Sequence, residues 1–355
     1  MAIIVTGGSG FIGSHFVDYW LATTNDSVVN IDKLTYASNH NDLVRVSANP
    51  RYVFIQGDIC DAALLQSVFA KYRPSAVIHL AAESHVDRSI KTPGAFINSN
   101  IVGTYQLLEA ARTFWDTLSQ SDKVAFRFLH VSTDEVYGSL SLGAAAFVEA
   151  SRYEPNSPYS ASKAASDHLV RAYYHTYGLP VLTTHCSNNY GPYQYPEKLI
   201  PRIIYNALMQ QSIPVYGDGL QIRDWLYVTD HCAALYAVHQ RGIPGQVYNI
   251  GGLNEKTNIE VVRLICNILD RDHPLGSENA IKSYQELITY VDDRPGHDRR
   301  YAIDASKIQH ELEWHPQETF EAGIAKTVAW YLENRVWLEQ AVGSDESSAH
   351  MRELV

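Results

Sequence analysis

Residues 6–13 read TGGSGFIG. A short apolar run at 2–5 feeds into this stretch and a helix-like segment, 10–23, leaves it. Glycines stand at Gly7, Gly8, Gly10 and Gly13, in two overlapping registers: G-x-x-G-x-x-G from Gly7 and G-x-G-x-x-G from Gly8. Glycine permits positive φ in such a turn and lets the backbone approach a pyrophosphate. A helix that starts there offers free amides and the positive end of its dipole to phosphate. Gly13 is expected to remove a side chain where that helix presses on the sheet. Asp32 ends the second apolar run, 19 residues beyond Gly13, close to the ~20 expected of a carboxylate that accepts from an adenosine ribose. A carboxylate there repels a 2′-phosphate, so the expected cofactor is NAD rather than NADP, although Lys33 and Arg45 are near enough in sequence to offset a 2′-phosphate. Without a cofactor, the same residues would make a tight strand–helix turn and a capping aspartate. Asp58 and Ile59 follow the third run, where adenine is expected; Asp58 is equally suited to cap the next helix.

Outward from the turn the pattern repeats. Short β-branched or aliphatic runs lie at 2–5, 28–31, 52–56, 76–80, 127–131 and 181–184, and helix-like stretches at 10–23, 62–72, 95–114 and 158–177 separate them. Strands alternating with helices predict an α/β fold: a Rossmann-type, doubly wound parallel sheet covered on both faces. The second half is broken by Pro192, Pro196, Pro201 and Pro214, with one further strand expected at 246–250 and helices at 259–269 and 320–330. The expected organisation is an NAD-binding domain over 1–187 with a returning segment at about 221–250. A smaller C-terminal α/β substrate domain takes 188–220 and 251–340, and a loose tail 343–355.

Composition narrows the function. The chain has 355 residues, 46% hydrophobic and 19% charged, with a formal net charge of −11. That balance disfavours non-specific binding to nucleic acid or anionic membranes. Cys60, Cys186, Cys232 and Cys266 form no C-x-x-C pair, and read as free thiols of a reducing compartment. There is no signal-peptide pattern and no membrane-length apolar run, so a cytoplasmic location is expected. His79, His85 and His130 show no metal-ligand spacing; they read as satisfied histidines near the sheet ends, and no metal is expected.

Two constellations carry chemistry. In PYSASK, Tyr159 and Lys163 are four residues apart on an expected helix and share a face. A lysine ammonium favours the phenolate, and a phenol of lowered pKa suits removal of a hydroxyl proton. After the fifth run, Thr133 is followed by Asp134 and Glu135, at the strand end where α/β active sites form. Adjacent carboxylates whose environments push their pKa values apart can supply an acid and a base. The bland readings are a surface Tyr–Lys pair, and a cap beside a solvated carboxylate.

TGGSGFIG, HVSTDEVYG and SPYSASK, in this order, resemble the extended short-chain dehydrogenase/reductase family, and the resemblance runs to about residue 335. It implies a seven-stranded parallel sheet, tightly held NAD and a homodimer built on a helix bundle. The segments LAAESHVDRSI, CSNNYGPYQYPEKLIP, IRDWLYVTDH, NIGGLNEKTN and DRPGHDRRYAID resemble the branch that removes water from dTDP-glucose. That branch forms a 4-keto-6-deoxy sugar for deoxysugar synthesis, L-rhamnose being one route. The resemblance implies Tyr159 as base of the oxidising step, with Thr133 holding the substrate hydroxyl, Asp134 as acid and Glu135 as the second base. The residues alone leave the order of the two carboxylates open. NAD contacts implied are Gly7, Gly10, Phe11, Ile12, Gly13, Asp32, Lys33, Leu34, Thr35, Asp58, Ile59, Leu80, Ala81, Ala82, Ser84, Tyr159 and Lys163. Sugar-nucleotide contacts implied are Ser84, Thr133, Asn188, Glu197, Lys198, Leu199, Arg223, Asn258, Asp293, Arg294 and His297. Arg223 and Arg294 would act as fork-shaped donors to the diphosphate. The Ala-rich linker 139–157 borders the expected site. The rival readings are a GDP-mannose 4,6-dehydratase, disfavoured by Asp32, and a UDP-hexose 4-epimerase, which needs no Asp134–Glu135 pair. A non-catalytic NAD-binding regulator would need none of the catalytic set.

Overall fold

The computed structural model describes residues 1–38, 43–293 and 295–343. Arg294 and the tail beyond Gly343 lie outside the described residues. Twelve strands are described: β1 Ala2–Thr6, β2 Ser27–Asp32, β3 Tyr52–Gln56, β4 Ala76–His79, β5 Arg127–Thr133, β6 Val181–Cys186, β7 Asn188–Tyr190, β8 Ile213–Tyr216, β9 Ile222–Tyr227, β10 Val247–Ile250, β11 Glu255–Thr257 and β12 Ile288–Val291. Seven of them form one sheet in the order β10-β6-β5-β4-β1-β2-β3, parallel throughout.

The alternation of side chains along each strand explains why both faces are covered. Ile3 and Val5 of β1 join Phe16, Trp20, Leu235 and Val238 on one face, while Ile4 joins Leu65, Leu107 and Leu108 on the other. Leu129 and Phe128 of β5 split the same way. Successive strand residues point to opposite faces, and fully burying each aliphatic side chain is worth about 1.5–3 kcal/mol. The strands are therefore continuous apolar runs rather than half-polar ones.

The rest of the chain builds a second core. β11-β9-β7 and β12-β8 make two small sheets. Tyr190, Trp225, Ile204, Val262, Ile265, Phe320 and Tyr331 pack there, away from the large sheet. The returning segment expected at about 221–250 reaches the large sheet as the helix Val228–Arg241 and β10, whereas β9 pairs with β7 and β11. Sequence periodicity missed β7, β8, β9, β11 and β12, because three- to six-residue strands in a proline-broken region carry too little pattern.

Two local features position the cleft. The helical run expected at 95–114 is α-helical over Pro93–Phe96, π-helical over Ile97–Gly103 and α-helical again over Thr104–Asp116. The π segment contributes Ser99 to the cleft wall. Its Asn100 Oδ1 accepts the Glu83 amide at 2.9 Å, and its Nδ2 donates to Ser162 Oγ at 2.8 Å. The linker 139–157 is pinned along 298–304: the amide of Phe147 donates to Ala302, that of Asp304 to Phe147, and Asn156 Nδ2 to Asp298 Oδ1. No helix among the described residues is long and apolar enough to cross a membrane. All four cysteines are free.

Candidate active site

The strand order reverses beside β1, whose neighbours are β2 and β4. At such a switch point the loops leaving the strand ends diverge and open a crevice. One cleft there is lined by Gly7, Gly10, Phe11, Ile12, Gly13, Asp32, Lys33, Thr35, Asp58, Ile59, Leu80, Ala81, Ala82 and Ser84. Continuous with these come Thr133, Asp134, Glu135, Tyr159, Lys163, Asn188, Glu197 and Lys198.

The glycine turn is shaped to admit a phosphate group. Gly7 has φ +74°, and a Cβ on it would stand 2.6 Å from Ala81 Cα. A Cβ on Gly13 would stand 2.1 Å from the Gly7 carbonyl oxygen and 2.7 Å from Gly8 Cα. Gly13 therefore makes room for the turn itself, not for the sheet as the sequence suggested. Gly10 differs: a Cβ there meets only the Gly7 oxygen, at 3.4 Å. Gly10 opens the helix Phe11–Thr23 with no side-chain cap, so the helix start keeps its amides for a ligand. These features fit a dinucleotide.

Asp32 is buried, which raises its pKa, while amide donors from Leu34 and Ser9 oppose the rise. Oδ2 accepts the Ser9 amide at 2.9 Å and Oδ1 the Leu34 amide at 2.9 Å. Leu34 itself, at φ +57°, is not among the cleft-lining residues. The two cations that could have offset a 2′-phosphate are engaged elsewhere. Lys33 Nζ donates to Ser99 Oγ at 2.8 Å and lies 3.8 Å from both Asp58 and Glu83 carboxylates. Arg45 pairs with Asp18 at 3.0 Å and covers the Tyr193 ring. Asp58 is not a helix cap: Asp61 caps Ala62–Tyr72, and Asp58 Oδ1 accepts the Cys60 amide.

At the far end of the cleft, β5 ends in Thr133, and Asp134–Tyr137 follows as a 3-10 turn. Thr133 Oγ1 accepts the Glu135 amide at 3.3 Å and donates to Asp134 Oδ1 at 3.4 Å. Asp134 is buried, and its Oδ2 has no hydrogen-bond partner. Burial, then the charges of Glu135 and Asp224, push its pKa well above the carboxylate range. Burial thus favours the protonated form of Asp134 beside a second carboxyl group, the kind of split that acid–base work requires.

Tyr159 and Lys163 lie on the helix Pro158–Tyr177, started by a capping box of Ser157 and Ser160. The expected effect of the lysine on the phenol is corrected. Burial, then the Glu135 charge, pushes the Tyr159 phenol up, with a Thr133 hydrogen bond pulling the other way. Lys163 Nζ donates instead to the Val131 carbonyl at 2.9 Å. Desolvation sets the direction of the shift.

The expected sugar-nucleotide residues fall into two groups. Ser84, Thr133, Asn188, Glu197 and Lys198 line the cleft. Asn188 Oδ1 is buried without a partner. Lys198 Nζ holds the Ser84 carbonyl at 2.8 Å, and Glu197 accepts from Tyr36 at 3.2 Å. Leu199, Arg223, Asn258, Asp293 and His297 are not among the cleft-lining residues. Leu199 begins the helix Leu199–Leu208. Arg223 donates to the carbonyls of Ile222 and Asp298, at 2.7 and 3.0 Å, stacks over Tyr301, and its charge reaches Asp134. Asp293 joins His297 at 2.6 Å and Gln221 at 3.1 Å. Asn258, whose Oδ1 is buried and unpartnered, lies one residue past β11 and takes the Gln221 carbonyl on its amide.

The sequence reading missed Ser99, Cys186, Ser187, Gln194 and Tyr195 of the cleft wall. Ser99 had no signal beyond a polar residue within an apolar helical pattern. The others lie in CSNNYGPYQYPEK, where the irregular backbone hides which side chains converge. His79 is held by Thr6 at 2.8 Å and Thr104 at 2.9 Å. His85 caps the helix Val86–Lys91, and His130 meets Asp167. The described residues contain no group of three metal-ligating side chains.

Comparison with known proteins follows this geometry. A family model described as GDP-mannose 4,6 dehydratase matches residues 4–327. The dTDP-glucose 4,6-dehydratase of Neisseria meningitidis serogroup B is 59% identical over 343 residues, covering 96% of each chain. That of Shigella flexneri is 60% identical over 347 residues, covering 96% of this chain and 95% of its own. Among solved structures, DesIV, a dTDP-glucose 4,6-dehydratase from Streptomyces venezuelae with NAD bound, superposes with a TM-score of 0.87 at 45% identity. That match covers 96% of this chain and all of that one.

Proposed function

We propose that this chain, which belongs to the GDP-mannose 4,6 dehydratase family, converts dTDP-glucose to dTDP-4-keto-6-deoxyglucose on a bound NAD. The observation that carries the reading is the buried Asp134, its Oδ2 without a partner, next to Glu135, in one cleft with Tyr159, Lys163 and a glycine turn. Relatives at 59–60% identity named for dTDP-glucose support that substrate over GDP-mannose.

The residues divide the labour by chemistry. Gly7, Gly10 and Gly13 with the start of the helix Phe11–Thr23 hold the pyrophosphate, and Asp32 accepts from the adenosine ribose. NAD, when bound, supplies a hydride acceptor and donor. The positive charge of the nicotinamide, when bound, would offset the burial that holds Tyr159 protonated, and the phenolate would remove the proton of the carbon-4 hydroxyl, assisted by Thr133. A ketone at carbon 4 acidifies carbon 5; Glu135 takes that proton, and Asp134 gives its own to the departing carbon-6 hydroxyl. Such positioned proton transfers contribute typically 10²–10⁴-fold each. Ser84, Asn188, Glu197, Lys198, Leu199, Asn258, Asp293 and His297 would contact the sugar nucleotide, with Arg223 and Arg294 as donors to its diphosphate.

We also propose a cytoplasmic homodimer. Ile97, Val102 and Tyr105 are exposed on the helical run from Pro93 to Asp116, an apolar surface a second copy would cover. Sedimentation of the purified protein tests it, a monomer being the adverse result.

Proton NMR of the purified protein with dTDP-glucose and no added cofactor tests the reaction. A carbon-6 methyl doublet is expected. A galactose-type anomeric signal without a methyl would mean epimerisation and overturn the roles given to Asp134 and Glu135.

A further inference from the structure

Behind the cleft lies a buried polar chain that the reaction does not use directly. Asp167 stands one helical turn past Lys163 and is buried. Its Oδ1 meets His130 Nε2 at 3.1 Å and its Oδ2 meets His185 Nε2 at 3.0 Å. His185 Nδ1 lies 2.6 Å from the Tyr137 hydroxyl, and that hydroxyl donates to Asn249 Oδ1 at 2.9 Å. Tyr137 closes the 3-10 turn that begins with Asp134 and Glu135.

The hydrogen bonds set the direction of the chain. Although burial works against it, hydrogen bonds from His130 and His185 hold the Asp167 carboxyl well below its ordinary range. An ionised carboxylate only accepts, so His185 Nε2 carries a proton. Asn249 Nδ2 donates to the carbonyls of Phe147 at 3.0 Å and Asp304 at 3.3 Å. That fixes Oδ1 as the atom facing Tyr137, where it takes the single phenol proton. His185 Nδ1 stands 2.6 Å from the same phenol oxygen and closes the chain.

We infer that the buried chain of Asp167, His185 and Tyr137 fixes the Asp134–Glu135 turn against the helix bearing Tyr159 and Lys163. They are positioning residues, and the inference rests on the roles proposed for Asp134 and Glu135. The surrounding charges are compatible. Lys163 and His168 share the helix with Asp167, His130 faces it from β5, and Tyr153 meets His185 Nε2 at 3.0 Å. Glu149 accepts the Asn249 amide at 2.9 Å, adding a second negative charge on the Tyr137 side. Tyr137 is locked further by stacking on Phe147, 5.2 Å between centroids. Asp167 also favours the charged form of Lys163, against desolvation, so one carboxylate serves both the lysine and the chain.

The test uses the NAD-loaded protein. In kinetics, Tyr137→Phe is expected to lower kcat by on the order of 10–100-fold, as small misplacements of reacting groups do. KM for dTDP-glucose should be unchanged, and reduced nicotinamide should accumulate in a single turnover because elimination, not oxidation, is slowed. Folded Tyr137→Phe and Asp167→Asn proteins with wild-type kcat overturn the positioning role. Where Asp167→Asn fails to fold, Tyr137→Phe alone decides. The wild-type methyl doublet separates the two levels: without it the proposed reaction fails, with it only the positioning inference is at stake.

Discussion

The Asp32 carboxylate accepts the backbone amide of Ser9 at 2.9 Å, so the end of β2 is tied directly to the glycine turn. Cofactor selection and turn geometry therefore depend on one side chain. Asp32→Ala leaves the buried Ser9 amide without its acceptor, a cost of about 1–3 kcal/mol. The melting temperature should fall, co-purified NAD should be lost, and the affinity ratio should move toward NADP. Thermal melts with NAD and NADP titrations check this; unchanged stability and selectivity would refute it.

The glycines of the turn should respond unequally. Gly13→Ala drives a Cβ into the Gly7 carbonyl at 2.1 Å, a contact between rigid backbones. We expect destabilisation of about 1–3 kcal/mol, the usual cost of overpacking, with loss of bound NAD. Gly10→Ala meets only one atom, at 3.4 Å. It should keep the wild-type melting temperature in the cofactor-free protein while weakening NAD. Equal melting temperatures for the two variants would count against this geometry.

Tyr159→Phe removes the oxidising-step base and should lower kcat by ~10²–10⁴-fold, with no reduced nicotinamide formed in a single turnover. Glu135→Gln should differ in kind. Some oxidation persists, but deuterium from solvent no longer enters carbon 5. Asp134→Asn should allow that exchange and still fail to release water. Mass spectrometry of recovered sugar nucleotide in deuterated buffer separates Asp134→Asn from the other two, and reduced nicotinamide separates those two from each other; wild-type turnover by Glu135→Gln would remove it from the role of base.

Asp134 also gives a signed pH effect on stability. Its carboxyl is held protonated in the folded chain well above its ordinary range, by burial first and then by the charges of Glu135 and Asp224. The unfolded chain releases that proton near pH ~3.9. The folded state binds more protons above that point, so this group's contribution is full below it and is lost as pH rises toward the folded pKa. Asp134→Asn cannot ionise. Its melting temperature should therefore gain on the wild type as pH rises from about 4 to 8, and a constant difference across that range would contradict a buried neutral acid.

Much of this was legible in the residues. The alternation of apolar runs and amphipathic stretches, the glycine spacing, and Asp32 at the end of the second run determined the parallel sheet and the cofactor end of the cleft. Strand periodicity and turn chemistry are local properties that survive without knowledge of neighbours. Thr133–Glu135 and Tyr159–Lys163 were readable for the same reason: each is a short motif on one element.

What only the tertiary structure decided is what depends on environment across elements. The protonation of Asp134 is set by burial and by Asp224 of β9, ninety residues away in the chain. The phenol of Tyr159 is raised rather than lowered because desolvation and the Glu135 charge outweigh the Thr133 hydrogen bond. The π-helical stretch that presents Ser99, and the grouping of Asp293 and His297 with Gln221, belong to packing. So does the chain from Asp167 through His185 to Tyr137. Desolvation, Coulomb coupling and hydrogen-bond partnership are sums over spatial neighbours, and a linear sequence lists the groups without saying which of them meet.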